Sequence, residues 1–321
     1  MNADAAVIII SYNTREMTLE CLRSVFAQPG ADRLRIVVAD NASDDGSADA
    51  IESEFGDRIE LIRLEENVGF AAGNNVAIEK ANPPITEEWL LLLNPDTVLL
   101  DDAIGSLLEF ADQNPKAGVY GGRTVFADKT LNPKSCWMRS TPWSVLCQAL
   151  GLTRFSGSRL FNPEQPDAWR GGRPGHVDIV SGCFFLIGRE LWERLGGFDQ
   201  SFFMYGEEAD LCLRALKLGA APMVTDSATI IHYGGASEKA REGKLIRLMD
   251  AKCRLGRRHW RFAWLAGPLF ALWPLSRLVA LEAISLVSPL KKADRDVWRA
   301  VWKARSRWLS DIDGTDTAEN E

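Results

Sequence analysis

The chain predicts an α/β fold: a mostly parallel sheet flanked by helices, followed by a C-terminal helical extension. Three observations carry that prediction. Apolar runs of strand length alternate with helix-length segments over the first 126 residues, and each run breaks off in a cluster of Asn, Asp, Ser or Gly. A basic, helix-patterned segment then begins near residue 244. With 321 residues, 46% of them hydrophobic, there is chain enough for one sizeable core and a smaller unit.

Residues 7–12 (Val-Ile-Ile-Ile-Ser-Tyr) read as the first strand, and Asn13 with Glu16 reads as a capping box opening a helix that runs to about Gln28. The unit repeats: a strand at 35–39 ends at Asp40, Asn41 and Ser43, and a helix follows from about Ser47 to Phe55. A third strand covers 59–64. A turn rich in Asn and Gly, with Asn67, Gly69, Phe70, Gly73 and Asn74, leads into a helix through about Ala81. An uncharged run, Trp89–Leu93, then ends abruptly in Asn94, Pro95 and Asp96. That is the pattern of a buried central strand delivering polar side chains to its C-terminal edge. The plainer reading is a strand-to-helix turn with Asp101 or Asp102 as the cap, and the local pattern favours neither.

In a parallel sheet with right-handed crossovers the turns at 12–13, 40–41, 67–75 and 94–96 gather along one edge, where ligands bind. Gly69 and Gly73 lack the Gly-x-Gly-x-x-Gly spacing, which disfavours a dinucleotide-binding domain. They serve either tight packing and capping or a close backbone approach to a phosphate or sugar.

A helix at 102–114 and a strand at 118–126 come next, after which residues 128–173 lose periodicity and are expected to form a binding loop or lid. One strand over 177–187 carries Gly182 at a bulge or close-approach point. A short helix, 189–195, closes at Gly196-Gly197, an aromatic loop contains Phe203 and Tyr205, and a helix starts at Glu207 and stops at Gly219. An extended segment, 221–231, ends at His232. The predicted organisation is a domain over 1–243, with halves at about 1–126 and 127–243, a helical extension over 244–310, and a disordered acidic tail over 311–321.

The formal net charge of −7 argues against charge-driven nucleic-acid binding, although residues 252–261 are locally basic. Six scattered cysteines, without a Cys-x-x-Cys pair, read as reduced thiols in the core, and the N-terminus shows no secretion signal. Both point to the cytoplasm.

Glu207, Glu208 and Asp210 put three carboxylates in the first turn of a helix, where the dipole favours each by about 0.3–1 kcal/mol. Three together, directly after an aromatic loop, repel one another and point to a cation or substrate hydroxyls nearby, with one carboxylate as general base. His232 stands at a strand end. It is by default a hydrogen-bonded surface residue, the alternative being a metal ligand or phosphate contact.

Taken in order, residues 7–13, Asp40-Asn41-Ala42-Ser43, Asn67-Val68-Gly69-Phe70, Asn94-Pro95-Asp96, Ser181-Gly182-Cys183-Phe184, Gly197-Phe198-Asp199, the stretch 202–214 and His232 resemble the family 2 glycosyltransferases. These are inverting enzymes of the GT-A fold, a Rossmann-like sheet, and the resemblance is to their rhamnosyltransferase-like branch. It covers roughly residues 5–240. The resemblance implies that Asp40 contacts the nucleotide base and that Asn67 to Asn74 lie near the nucleotide sugar. Ser11, Tyr12, Asn13, Gly69, Phe70 and Asn94 fall on the same donor side. Asp96 is the retained carboxylate of an Asp-x-Asp motif that holds Mg²⁺ or Mn²⁺ against the diphosphate, and His232 is a further metal or phosphate ligand. Glu208 falls at the base position, with Glu207 and Asp210 beside it, and Ser181, Gly182, Phe203 and Tyr205 belong to the acceptor side.

Two departures matter: Asn94 replaces the first Asp of the metal motif, and Glu208 replaces the usual Asp of the base. The implied function is metal-dependent, inverting transfer of a sugar to a lipid-linked or polysaccharide acceptor. The donor would be dTDP-L-rhamnose, or a UDP- or GDP-sugar. The alternative is a catalytically weak sugar-nucleotide or glycan-binding scaffold.

From Phe262 to Ser276 no residue is charged, but Pro268 and Pro274 are expected to interrupt the run, which falls short of the roughly 20 residues a spanning helix needs. Trp260, Trp264 and Trp273 with flanking basic residues point to helices at a membrane surface through 260–290, peripheral at its inner face. A helical subdomain or dimer interface is the other reading. Oligomeric state is not legible.

Overall fold

The computed structural model describes residues 4–155, 158–166, 175–234, 241–286 and 288–310. They pack as two units, residues 1–137 with 166–237, and residues 138–165 with 238–321. The boundary expected near Gly243 falls inside a helix, Arg241–His259, that lies wholly in the second unit. The expected tail lies outside the described residues.

The first unit is built on the strands β1 (Ala5–Ser11), β2 (Leu34–Asp40), β3 (Glu60–Arg63), β4 (Trp89–Leu93), β5 (Thr97–Leu99), β6 (Val119–Val125), β7 (Cys136–Trp137), β8 (Gly175–His176), β9 (Ile179–Val180), β10 (Phe184–Gly188) and β11 (Met223–His232). Nine of them form one mixed sheet in the order β3-β2-β1-β4-β10-β6-β11-β5, with β8 paired to β11. β3, β2, β1 and β4 run parallel, and β10 enters antiparallel to both β4 and β6. β11 is parallel to β6, so its C-terminal end reaches the same edge as that of β4. β1 is buried along its whole length and β4 from Leu90 onward, as strands covered on both faces must be.

Helices α1 (Arg15–Phe26), α2 (Ser47–Phe55), α3 (Gly69–Lys80) and α4 (Ala103–Gln113) cross between these strands. The core joins Val7, Ile9, Leu91 and Leu93 of the sheet to Leu22, Ile51, Leu107 and Phe110 of the helices. Asp102 caps α4 by accepting from the Gly105 N–H at 3.2 Å.

Three local expectations are corrected. The predicted capping box at Asn13 does not form: α1 starts at Arg15, whose N–H donates to Asp45 from the following turn (3.0 Å), while Asn13 takes φ 51°. The predicted single strand over 177–187 is two strands. β9 pairs with β7 in a separate two-stranded sheet, and the turn 181–183 leads into β10. The segment 128–173 is not wholly irregular, since α5 (Pro142–Ala149) opens with a capping box between Thr141 and Ser144. Residues 156–157 and 167–173 of that segment lie outside the described residues.

Two more helices complete the first unit: α6 (Arg189–Leu195), ended by Gly196 in the left-handed conformation, and α7 (Glu207–Lys217). The second unit packs α5 with α8 (Arg241–His259), α9 (Ala266–Ser285), α10 (Lys292–Lys303) and α11 (Arg305–Leu309) around Val145, Met249, Cys253, Phe270, Val301 and Trp308. Contrary to expectation, the prolines do not interrupt α9. Pro268 sits in its first turn, where backbone N–H groups have no helical partner, and Pro274 is buried within it. Residues 263–285 are thus helical and, by length and composition alone, long and apolar enough to cross a membrane.

Candidate active site

The C-terminal ends of β2, β4 and β11 and the N-terminal ends of α3 and α7 are joined by a chain of contacts. At β2, Asp40 is buried; one carboxylate oxygen accepts the Ser43 N–H (3.0 Å) and the other, Oδ1, is buried without a hydrogen-bond partner. Next to it, the Asn41 amide donates to Asn67 Oδ1 (2.9 Å) and to the Gly69 carbonyl (3.2 Å), and accepts the Val68 N–H (3.0 Å). One carboxamide therefore spans the whole 67–69 turn.

Gly69, at φ 83°, brings that turn against the aromatic loop. A Cβ there would lie 2.5 Å from the Phe203 carbonyl, which accepts the Phe70 N–H at 2.9 Å. No L side chain fits this position. Asn74, one turn into α3, donates to the Phe70 carbonyl (2.9 Å) and leaves its own oxygen buried and unpartnered.

At β4, the Asn94 N–H donates to the Cys183 carbonyl (3.1 Å), its own carbonyl accepts the Thr97 hydroxyl (2.7 Å), and its side-chain oxygen is buried without a partner. Asp96 is buried, and its Oδ1 lies 3.3 Å from Nε2 of His232, the last residue of β11. The next residue, Tyr233, donates its N–H to the Asp96 carbonyl (3.0 Å), so the backbone fixes the same pairing. Burial favours the neutral acid of Asp96, but the His232 hydrogen bond and charge outweigh it and hold the carboxyl below its ordinary value. Burial likewise favours the neutral ring of His232, and the Cys183 sulfur together with Asp96 raises it to about 10. Beneath the pair, burial pushes the Cys21 thiol up to about 12.

The turn 181–183 also reaches the other candidate carboxylates. A Cβ on Gly182 would stand 3.5 Å from the Phe70 ring and 3.8 Å from Glu208 Cβ. Glu207 is almost fully buried, and Glu207 and Glu208 each keep one buried oxygen without a hydrogen-bond partner. Burial first, then the neighbouring Glu208, raises Glu207 well above the ordinary carboxylate range, and burial raises Glu208. Two close carboxyls in a desolvated site do not both ionise readily.

The structure thus brings together Asp40, Asn67, Gly69, Phe70, Asn74, Asn94, Asp96, Gly182, Phe203, Glu207, Glu208 and His232. Ser181 and Tyr205 flank the group. Ser181 is tied through its N–H to the Ser135 carbonyl (3.0 Å), and Tyr205 takes a left-handed φ of 73° just before Gly206 at α7. Three expected residues make contacts within the protein. The Ser11 hydroxyl is fully buried against Thr18 (3.0 Å), and the Asn13 side chain accepts the Asp44 N–H (2.9 Å). Asp210 pairs with Arg214 (2.6 Å), which also donates to the Leu195 and Gly197 carbonyls and so ties α7 to the end of α6. Tyr12 is exposed. Asn41 and Cys183 stand in motifs that the sequence marks, but not as site residues: their polar partners lie far along the chain.

Among the described residues no group of three or more His, Cys, Asp or Glu side chains is placed to hold a metal by itself. Asp96 and His232 are paired, and Asn94, two residues before Asp96, keeps an unpartnered side-chain oxygen; carboxylate, imidazole and amide oxygen are each a possible metal donor. So few protein donors would suit only a divalent ion that takes its remaining ligands from a bound anion.

The family model described as Glycosyl transferase family 2 matches residues 6–195. The N-acetylglucosaminyl-diphospho-decaprenol L-rhamnosyltransferase of Mycobacterium tuberculosis is 27% identical over 213 residues, 62% of this chain and 66% of that protein. The rhamnosyltransferase WbbL of Escherichia coli K12 is 24% identical over 187 residues, 56% of this chain and 66% of that one. Among solved structures, the mannosyltransferase PcManGT of Pyrobaculum calidifontis, in complex with GDP-Man and Mn²⁺, matches with a TM-score of 0.59 at 18% identity, covering 96% of this chain and 87% of that one. At that identity the likeness shows the fold.

Proposed function

This chain belongs to glycosyl transferase family 2, and on that premise we propose that it is an inverting, metal-dependent glycosyltransferase acting on a nucleotide-sugar donor. dTDP-L-rhamnose is the donor we favour, ahead of UDP- and GDP-sugars, and the acceptor is a hydroxyl of a lipid-linked or polysaccharide glycan. The two rhamnosyltransferase relatives support the sugar, and the decaprenol-linked substrate in the name of one supports the acceptor class.

One observation carries the reading. The single turn 181–183 touches both halves of the site, holding Asn94 through the Cys183 carbonyl and packing Gly182 against Glu208. Single displacement at an anomeric carbon asks for that juxtaposition: charge stabilisation where the diphosphate leaves and a base where the hydroxyl attacks. Glu208 takes the hydroxyl proton as the acceptor oxygen bonds to the anomeric carbon and the bond to the diphosphate oxygen breaks. Its desolvated setting strengthens its hold on that proton. Glu207 is the more deeply buried of the two and is raised further by its neighbour, which favours Glu208 as the base.

Asp96, His232 and the Asn94 oxygen would hold Mg²⁺ or Mn²⁺, which when bound neutralises charge on the leaving diphosphate. Asp40, with one buried oxygen unused, would accept an N–H of the nucleobase, and the Asn41 clamp keeps the 67–69 turn in place beside it. The cytoplasm is the compartment we assign; all six cysteines are buried core residues.

The test is nucleoside diphosphate release from a panel of nucleotide sugars, with and without chelator. Release that needs Mg²⁺ or Mn²⁺ and is lost in Asp96→Ala is the expected result. Full turnover by that variant overturns the mechanism, and donor binding without turnover across acceptors marks a binding scaffold instead.

A further inference from the structure

The second unit carries a feature that sugar transfer does not use. Exposed along α9 are Ala280 and Ile284 and, in one row, Pro268, Leu272, Leu275, Val279, Ala283 and, at the helix end, Leu286. Their spacing of four, three, four, four and three residues is that of a single helix face. At 1.5 Å per residue the stripe is about 27 Å long. No residue in it is polar, and Val279 and Leu286 are 61% and 86% exposed. The opposite face, with Ala266, Phe270 and Pro274, is buried in the core of the unit. α9 is therefore apolar on both sides, with only one side covered by protein.

Charge identifies the cover. Residues 241–310 hold sixteen Lys and Arg against five Asp and Glu, in a chain whose net charge is −7. Exposed basic residues stand at both ends of the stripe: Arg261 before it, next to the exposed rings of Phe262 and Trp264, and Lys291 and Lys292 beyond it, next to exposed Leu290. An apolar stripe ended by aromatic rings and cations is complementary to a bilayer interface bearing anionic headgroups.

We propose that this face of α9 docks the second unit onto an anionic membrane surface, with the helix axis in the plane of the interface. The helix does not cross, although it is long enough to do so. Its polar side chains are committed to protein: Ser276 donates to the Ala149 carbonyl (2.6 Å), Arg277 to the Gln148 carbonyl (3.4 Å), and Glu282 pairs with Arg299 of α10. Crossing would strip Arg277 and Glu282 of those partners inside hydrocarbon. A second copy is the weaker occupant, because pairing two such stripes brings like-charged ends together.

The experiment is vesicle co-sedimentation of the full chain, using phosphatidylcholine alone and phosphatidylcholine with phosphatidylglycerol. The charge-neutral variant Leu275→Gln/Val279→Gln and the charge variant Lys291→Gln/Lys292→Gln are compared with the parent. All four positions are exposed, and thermal unfolding confirms that each variant is folded. The parent is expected to bind the anionic vesicles at least about tenfold better than the neutral ones and to be released by salt. The stripe variant should lose about tenfold or more on anionic vesicles, and the lysine variant should lose its preference for them. Absence of vesicle binding by the folded parent, equal binding to both vesicles, or unchanged binding by the stripe variant overturns the proposal. So does a dimer in light scattering that the stripe variant abolishes, which assigns the face to a second copy.

Discussion

Nε2 of His232 and Oδ1 of Asp96 lie 3.3 Å apart at the ends of two elements remote in sequence, and a backbone bond from Tyr233 to the Asp96 carbonyl locks that approach. The pair is held ready, so its chemistry should not depend on a loop closing over it.

Removing either partner tests the cation reading. Asp96→Ala is expected to lower turnover on the order of 10²-fold or more, and His232→Ala by a smaller factor that added Mn²⁺ partly restores. Steady-state rates against metal concentration separate the two. Because the protein supplies few donors, metal binding without nucleotide should be weak, and calorimetry that found tight metal binding to the nucleotide-free protein would contradict the donor set described.

Protonation of the same pair sets a stability window in metal-free protein. His232 binds its proton more tightly when folded, so its contribution is full below 6.5 and is lost as pH rises through about 10. Asp96, held below 3.8, contributes above that value and loses its contribution as pH falls through its lowered pKa. Thermal midpoints measured across this range should fall on the alkaline side, and the fall should be smaller in Asp96→Asn.

The two adjacent glutamates should separate cleanly. Glu208→Gln is expected to lose about 10²–10⁴-fold in transfer while donor affinity is kept. Glu207→Gln, which replaces a carboxyl held well above its ordinary range by a carboxamide of the same shape, should keep turnover within about tenfold. Equal losses in both would show that the pair shares the proton.

Two glycines offer a steric control. Gly69→Ala meets the Phe203 carbonyl at 2.5 Å with a left-handed backbone, and should cost more than about 2 kcal/mol in denaturant unfolding. Gly182→Ala makes ordinary contacts at 3.5 Å and 3.8 Å, so stability should hold within about 1 kcal/mol. Any effect of the latter should appear in acceptor KM, since the new methyl faces Glu208.

Asn41→Ala removes three hydrogen bonds from the 67–69 turn and should cost about 1–3 kcal/mol and raise donor KM more than it lowers kcat. Asn41→Asp keeps the acceptor for Val68 but sets a buried carboxylate oxygen against the Asn67 and Gly69 oxygens, and should cost at least as much as Asn41→Ala.

The sequence by itself determined the alternation of strands and helices, because burial on one face or on both leaves a period that can be read locally: β1, α2, β4 and α6 lie where their residues predict. It also determined that polar residues end those strands, and the order of motifs that marks the family. Only the tertiary structure decided what those polar residues meet. Ser11 and Asp210 look as functional in sequence as Asp40 and Glu208 do, and they bond to Thr18 and Arg214, while Asn41, marked only as part of a motif, holds a turn that β2 alone could not reveal. The same holds for larger pieces. The cap of α1 comes from Asp45, the run 177–187 divides because its two ends pair with different sheets, and residues 138–165 join the C-terminal helices. In each case the partner is distant along the chain, and a hydrogen bond or packed face between distant residues leaves no periodic trace in either segment.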